Sequence, residues 1–227
     1  MNFNYYIFDL DNCLIKLTSN YFNNILIESL KLLNSDIIPN NSEIVRFWSA
    51  GEDYHLVLQE WGVNQPEQFW NIFDDIDFKN RKKLIKQQKI KLFDDVLHVL
   101  TKLKTNKKKI CLVSNTSDAI INYILKQFEL EGYFHKFFGM GPNKDERLAK
   151  PSPQGIKKVL IDLNYDFNNS QEAIMVGDSH VDIFAAKQAN IHGCLIKREE
   201  NRYPDGFENW DYKPDSVIDN LTEIFTL

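Results

Sequence analysis

The sequence predicts an α/β protein: a doubly wound parallel sheet with an all-helical domain inserted after its first strand. Three observations carry that expectation. Short uninterrupted apolar runs, Tyr5-Tyr6-Ile7-Phe8, Ile110 to Val113 and Ala173 to Val176, are each followed at once by small polar or acidic residues. Such runs read as strands buried on both faces, as parallel strands are when helices cover the sheet. The first two runs are separated by a stretch of helical periodicity too long for a plain crossover. After Asp94 strand and helix patterns alternate, which calls for parallel strands joined by right-handed crossovers.

The first strand reads as Tyr5 to Leu10. From Leu14 to Phe93 the texture changes: Tyr21, Phe22, Ile25, Leu26, Leu30 and Leu33 recur at helical spacing, and Trp48, Trp61 and Trp70 fall here. Further helical patterns cover Glu43 to Trp48, Asp53 to Trp61, Pro66 to Phe73 and Phe78 to Gln88, with no strand signal between them. The expected division is a core of 1–14 and 94–227 and a helical domain of 15–93. In the core, a helix over Asp94 to Lys104 leads into the strand Ile110 to Val113. A helix over Asp118 to Phe128 and a short strand over Phe137 to Met140 follow. Next come a helix from Ser152 to Leu163, the strand Ala173 to Val176, a helix from Val181 to Ala189 and the strand Gly193 to Ile196. A polar loop from Lys197 to Asp211, a strand over Ser216 to Ile218 and a terminal helix complete the chain.

Bulk properties narrow the class. A chain of 227 residues buries about 70% of its unfolded surface. A net charge of -5 argues against a nucleic-acid binder, which needs clustered positive charge. The basic runs Arg81-Lys82-Lys83 and Lys107-Lys108-Lys109 read as solvated faces. Three cysteines, Cys13, Cys111 and Cys194, are an odd count and suit buried free thiols better than a disulfide framework. The first twelve residues carry Asp9 and Asp11 and no basic stretch, unlike an ordinary signal peptide. No apolar run approaches the roughly 18 residues a membrane span needs. A reduced, cytoplasmic setting is expected, with no membrane and no nucleic-acid polymer as partner.

Four short motifs occur in one order. Asp9-Leu10-Asp11-Asn12-Cys13 follows the first apolar run, and Ser114-Asn115 follows the second. Lys150-Pro151 comes next, then Gly177-Asp178-Ser179-His180-Val181-Asp182 after the third. Three of the four therefore sit at the carboxyl ends of strands, the edge at which ligands bind in a doubly wound sheet. Asp9 and Asp11 are two apart in an extended segment, so both side chains leave the same side of the chain. A carboxylate can attack phosphorus and form an aspartyl phosphate that water then hydrolyses. Repulsion between anionic nucleophile and anionic substrate calls for a hard cation. Mg²⁺ suits one or two carboxylates together with substrate phosphate and water. Asp9 as nucleophile and Asp178 as metal ligand fit that need. Asp11 suits the acid that protonates an alkoxide leaving group and later the base that takes a proton from water.

Ser114 and Asn115, at a strand end before a helix, offer a hydroxyl and backbone N–H groups to phosphate oxygens. Lys150 would neutralise charge on the phosphate and on Asp9, and Pro151 fits the first turn of the following helix. Gly177 allows a tight turn, and Asp182 comes one helical turn after Asp178. Each motif alone has a bland reading, such as acidic turn residues, helix capping by Ser117, or capping by Ser179 or Asp178. His180 reads as a loop or helix-start residue rather than a catalytic base.

In order and placement, these motifs resemble the haloacid dehalogenase-like (HAD) superfamily, across nearly the whole chain from Tyr5 to about Ile224. The resemblance implies a Rossmann-like core and Mg²⁺ bound by Asp9, Asp178 and the backbone carbonyl of Asp11. It implies a phosphate site at Ser114, Asn115 and Lys150, and makes Asp182 the group that orients Lys150 or a metal-bound water. Dehalogenases of the superfamily lack the second aspartate, so Asp11 favours phosphoryl chemistry. Asn12 and Cys13 depart from the small residue and threonine usual there; Cys13 lacks the threonine hydroxyl.

A helical insert after the first motif resembles the cap of phosphoglycolate phosphatases, pyrimidine nucleotidases, β-phosphoglucomutases and dehalogenases. In such caps a loop of small residues faces the nucleophile, and Ser49-Ala50-Gly51 stands at that position. Arg46, Trp48 or His55 could then touch the organic part of the substrate; the alternative is that Phe47, Trp48, Trp61, Trp70 and Phe73 form the cap's own core. The resulting expectation is a Mg²⁺-dependent phosphatase acting on a small phosphomonoester, phosphoglycolate-like or a nucleotide monophosphate. The rivals are a phosphosugar mutase using the same residues and a non-catalytic binding protein on the same scaffold.

Overall fold

The computed structural model describes residues 3–35, 37–141, 145–168, 172–198, 206–208 and 210–227. Of the polar loop expected over 197–211, positions 199–205 and 209 lie outside the described residues. The chain divides into two compact units, one of Met1–Lys16 and Lys91–Leu227, the other of Leu17–Ile90.

In the first unit, β1 (Tyr5–Phe8) runs to the two aspartates and is followed by the two-residue β2 (Ile15–Lys16). The second unit carries four helices among the described residues: α1 (Tyr21–Leu32), α2 (Asn41–Ser49), α3 (Tyr54–Glu60) and α4 (Phe69–Lys86). Returning, the chain forms β3 (Lys91–Leu92), α5 (Val96–Thr105), β4 (Lys109–Ser117), α6 (Asp118–Gln127) and β5 (Lys136–Met140). It ends with α7 (Gln154–Ile161), β6 (Ala173–Gly177), α8 (His180–Gln188), β7 (His192–Ile196) and β8 (Ser216–Ile218).

The sheet order is β5-β4-β1-β6-β7-β8, and every pairing in it is parallel. This is the doubly wound α/β fold. Ile7 and Phe8 are fully buried because helices cover both faces, each such side chain contributing roughly 1.5–3 kcal/mol of burial. The covering helices present apolar stripes at helical spacing, for example Val96, Val99, Leu100 and Leu103 on α5 and Ile156, Val159 and Leu160 on α7. The topology also positions the site. β4 and β6 flank β1, with Phe8 level with Leu112 on one side and Val176 on the other. The chain therefore reverses its order of addition at β1, and the residues following these three strands meet at the switch point.

Several elements differ from the sequence expectation. β2 and β3 form an antiparallel pair, Ile15 opposite Leu92 and Lys16 opposite Lys91, so Ile15, Lys16 and 91–93 go with the core unit rather than with 15–93. The helical patterns Pro66 to Phe73 and Phe78 to Gln88 are one helix, α4, preceded by a 3₁₀ turn at Pro66–Gln68. The stretch 74–77 between them, with its three aspartates, is helical too. One of these, Asp77, is buried: its Oδ1 accepts from Arg81 Nε at 2.7 Å, one helical turn on, and from Tyr21 Oη at 2.5 Å. Pro151 is not in the first turn of α7. It lies in a turn closed by the Ser152 N–H on the Ala149 carbonyl (2.8 Å), and the helix starts at Gln154. The terminal helix is a short 3₁₀ segment, Leu221–Phe225, capped by Asn220.

The helical unit packs around Ile25, Leu26, Leu30, Phe47, Leu58, Trp61, Phe69 and Phe73, all buried. A reciprocal cap starts α2: Asn40 Oδ1 accepts from the Ser42 and Glu43 N–H groups, and the Asn40 N–H donates to Glu43 Oε2 at 2.7 Å. Cys13, Cys111 and Cys194 are buried free thiols. Among the described residues, no helix is long and apolar enough to cross a membrane.

Candidate active site

Asp9, Asp11, Ser114, Lys150, Asp178 and Asp182 are all buried. Asp9 directly follows β1, and its N–H donates to the Val176 carbonyl of β6 at 2.9 Å, which levels it with the start of the Gly177-Asp178 turn. Lys150 Nζ makes three bonds: to Asp9 Oδ1 at 2.5 Å, to Asp182 Oδ1 at 2.6 Å and to the Val113 carbonyl at 2.9 Å. These are the three donors an ammonium has, so its direction is fully set. Burial alone would pull the Lys150 ammonium down. The carboxylates of Asp182 and Asp9 outweigh that and hold it above the usual lysine value.

Asp182 is a positioning group. Its Oδ1 takes Lys150, while its Oδ2 accepts from the Ser179 N–H at 3.0 Å and the Ser179 Oγ–H at 2.6 Å. Gly177 is required by this packing rather than by a turn: a Cβ there would stand 2.2 Å from Asp182 Cγ. Gly177→Ala should therefore displace Asp182 and with it Lys150. A loss of about 1–3 kcal/mol in urea unfolding, as overpacking gives, should accompany a fall in activity. Wild-type stability and activity in the variant would refute this account of the glycine.

Asn115 is exposed, and its side chain engages the Lys150 backbone. Nδ2 donates to the Lys150 carbonyl at 2.9 Å and Oδ1 accepts the Lys150 N–H at 2.8 Å. β4 runs on through Ser114 and Asn115 to Ser117, with a break in its pairing register with β5 between Val113 and Ser117. A bulge of that kind re-aims side chains at a strand end. Ser117 precedes α6 but makes no side-chain cap bond. Thr116 escaped the sequence reading. Its Oγ1–H donates to Asp11 Oδ2 at 2.6 Å, across 105 residues of chain. The available signal was weak: a second hydroxyl two residues past Ser114, in a segment whose bulge only the fold reveals.

Where a threonine is usual, the Cys13 thiol donates to the Val176 carbonyl at 3.5 Å. Burial, and next the Asp9 charge, push this thiol well above its ordinary value, so it remains a donor. His180 opens α8 and packs its ring on Phe184 and Trp210, at 5.7 and 5.9 Å.

Within the helical unit, Arg46 is held by a bidentate pair with Glu60 at 2.6 and 2.7 Å. Trp48 donates from Nε1 to Asn23 Oδ1 at 3.0 Å. Ser49 ends α2, and Gly51, at φ +54°, opens the next 3₁₀ turn with nothing within 4 Å of a Cβ position.

The donor set fits a hard divalent cation. Oxygens of Asp9, Asp178 and Asp182 lie within 4.8 Å of one another, and both oxygens of Asp182 already accept hydrogen bonds, from Lys150 and from Ser179. Asp9, Asp11, Asp178 and Asp182 are buried here, and the Lys150 ammonium bonds two of them, Asp9 and Asp182. Burial, reinforced by Asp182, Asp178 and Asp11 and opposed by Lys150, pushes Asp9 up to about 8 in the metal-free protein. A cation balancing that charge would keep Asp9 ionised.

A family model described as haloacid dehalogenase-like hydrolase matches residues 6–196. The chain belongs to that family. A relative carrying the name pyrophosphatase PpaX, from Caldanaerobacter subterraneus subsp. tengcongensis, is 28% identical over 191 residues, covering 84% of this chain and 80% of the relative. A haloacid dehalogenase-like protein from Bacteroides fragilis superposes with a TM-score of 0.73 at 21% identity, over 98% of this chain and 100% of the other. YfnB from Bacillus subtilis, whose crystal structure is bound to magnesium, superposes with a TM-score of 0.61 at 15% identity, over 100% and 98%. The chain thus has the Rossmann-like core of a haloacid dehalogenase-like hydrolase, with a helical insert after its first strand.

Proposed function

We propose that this hydrolase cleaves a small phosphomonoester with Mg²⁺, through an aspartyl phosphate on Asp9. The observation that carries the reading is the Lys150 ammonium bridging Asp9 and Asp182, with Asp178 and Asp11 beside them. Magnesium held by Asp9, Asp178 and the Asp11 carbonyl would screen the charge of the incoming phosphate. Lys150 takes Asp9 Oδ1 and directs Oδ2 toward phosphorus. Ser114 and the backbone beside Asn115 hold phosphate oxygens, and the positive charge of Lys150 beside Asp9 offsets the charge that develops on them. Asp11, fixed by Thr116, gives its proton to the leaving oxygen and then takes one from the water that attacks the acyl phosphate. The phosphoryl bond passes from leaving group to Asp9 and from Asp9 to water, and the protons balance through Asp11.

The test is a panel of phosphoglycolate, nucleotide monophosphates, hexose phosphates and inorganic pyrophosphate, with released phosphate as readout. Pyrophosphate belongs in it because of the name the bacterial relative carries. Activity should vanish in excess chelator and return with Mg²⁺; full turnover in chelator would sink the metal assignment. Sugar-phosphate isomerisation primed by a bisphosphate, without net phosphate release, would replace hydrolysis by the mutase reading.

Asp11→Asn should cost roughly 10²–10⁴-fold on an alkyl phosphate and much less on p-nitrophenyl phosphate, whose leaving group needs little protonation. Equal losses on both would remove Asp11 from the role of acid. Ser49-Ala50-Gly51 and Arg46 are assigned to substrate selection. Since Glu60 already holds Arg46, the loop carries most of that assignment. Ala50→Leu should change the ranking of large and small substrates in kcat/KM while phosphate inhibition stays as it was. A preserved ranking would take the loop out of the selector role.

A further inference from the structure

We propose that Arg198, with Asp95, is a positioning residue for the reaction, fixing the loop that carries Asp11 by holding the Cys13 carbonyl. The proposal builds on the phosphatase reading above. Arg198 lies two residues past β7, and its side chain is 8% exposed. The guanidinium grips Asp95 at two points, Nη1 to Oδ2 at 2.7 Å and Nη2 to Oδ1 at 3.1 Å. The same group donates to the Cys13 carbonyl from Nη2 at 2.6 Å and Nε at 3.2 Å. Its carbon centre stands 4.0 Å from the Phe93 ring centroid. Asp95 is anchored in turn, since its Oδ2 also accepts the Leu221 N–H at 2.8 Å.

The carbonyl so held belongs to a tight loop. Asn12 has φ 55°, its N–H donates to the Ile15 carbonyl at 2.8 Å, and the Leu14 and Ile15 N–H groups return to the Leu10 carbonyl at 2.9 and 3.0 Å. Asp11 sits inside this closed segment. The returning chain is tied to the same place, because the Phe93 N–H donates to the Leu14 carbonyl at 3.1 Å. One planar fork therefore joins the end of the Asp11 loop, the residue before α5 and the aromatic ring at the return crossing. A lysine could not do this, having a single point of charge on a flexible stem. The backbone bonds close the Asp11 loop upon itself. Arg198 ties it to the rest of the core.

The test compares wild type, Arg198→Met, and Arg198→Met combined with Asp95→Asn, which removes the otherwise uncompensated buried carboxylate and guards against simple unfolding. Two readouts are taken. In kcat/KM, both variants should lose roughly 10²-fold on β-glycerophosphate, as a misplaced catalytic group costs, and about tenfold less on p-nitrophenyl phosphate. That split marks a displaced Asp11, which general destabilisation would not produce. In amide hydrogen exchange, Asn12, Leu14 and Ile15 should exchange at least about tenfold faster, with Ile7, Leu112 and Val176 unchanged. Equal losses on both esters, or unchanged exchange at 12–15 in the double variant, overturn the proposal. A wild type inert toward every ester overturns the phosphatase reading instead, and the exchange result then decides the clamp independently.

Discussion

Asp9→Asn is expected to lower phosphate release by on the order of 10⁴–10⁶-fold, the scale on which loss of a nucleophile acts. The amide keeps the shape of the carboxylate and leaves Asp182 to hold Lys150, so the loss reports chemistry rather than collapse. Wild-type protein quenched in acid during turnover should carry a phosphoryl group on Asp9 by peptide mass spectrometry, and the variant none. A variant retaining more than about one hundredth of the rate would refute the nucleophile assignment. The same substitution has a pH signature in the metal-free protein. Burial raises Asp9 from 3.8 to about 8, so the folded state holds this proton where the unfolded chain releases it. Stability from this group therefore falls as pH rises between those values. Asp9→Asn should flatten that slope, and urea midpoints in chelator at pH 5 and pH 8 would show it.

Lys150→Met should have the next largest effect, on two independent measurements. Lys150 is the ammonium among four buried carboxylates and satisfies one oxygen each of Asp9 and Asp182. Removing one member of such a buried cluster leaves charge uncompensated, at about 3–5 kcal/mol. Loss of an electrostatic donor at the reacting centre should also cost roughly 10²–10³-fold in kcat. Because a bound cation would offset part of the exposed negative charge, Mg²⁺ should restore more stability to Lys150→Met than it adds to wild type. Equal stabilisation of the two proteins would show that Lys150 and the metal do not share the same carboxylates.

What could be read in the chain were the pieces whose physics is local. Tyr5 to Phe8 and Ala173 to Val176 are strands because continuous apolar side chains suit a sheet covered on both faces. Asp9, Asp11 and Asp178 follow such strands, and the sheet order brings those strands together. The helices of the insert were legible from periodicity, but their ends were not. Asp77 falls between two helical patterns in the sequence and is a buried partner of Arg81 and Tyr21 within one helix in the structure.

The sequence by itself determined the fold class, the family resemblance and the set of acidic residues that the structure buries at the strand ends. These depend on apolar runs and on small motifs at strand ends. Tertiary structure alone decided how those residues divide the work. Asp182 holds Lys150 with one oxygen and Ser179 with the other. Asn115 turns to the Lys150 backbone, and Gly177 is glycine because Asp182 packs where a Cβ would be. Thr116 on Asp11, and Arg198 across Cys13 and Asp95, join residues 105 and 185 positions apart. A hydrogen bond is set by distance and angle in space, and no pattern along the chain encodes which distant donor will arrive.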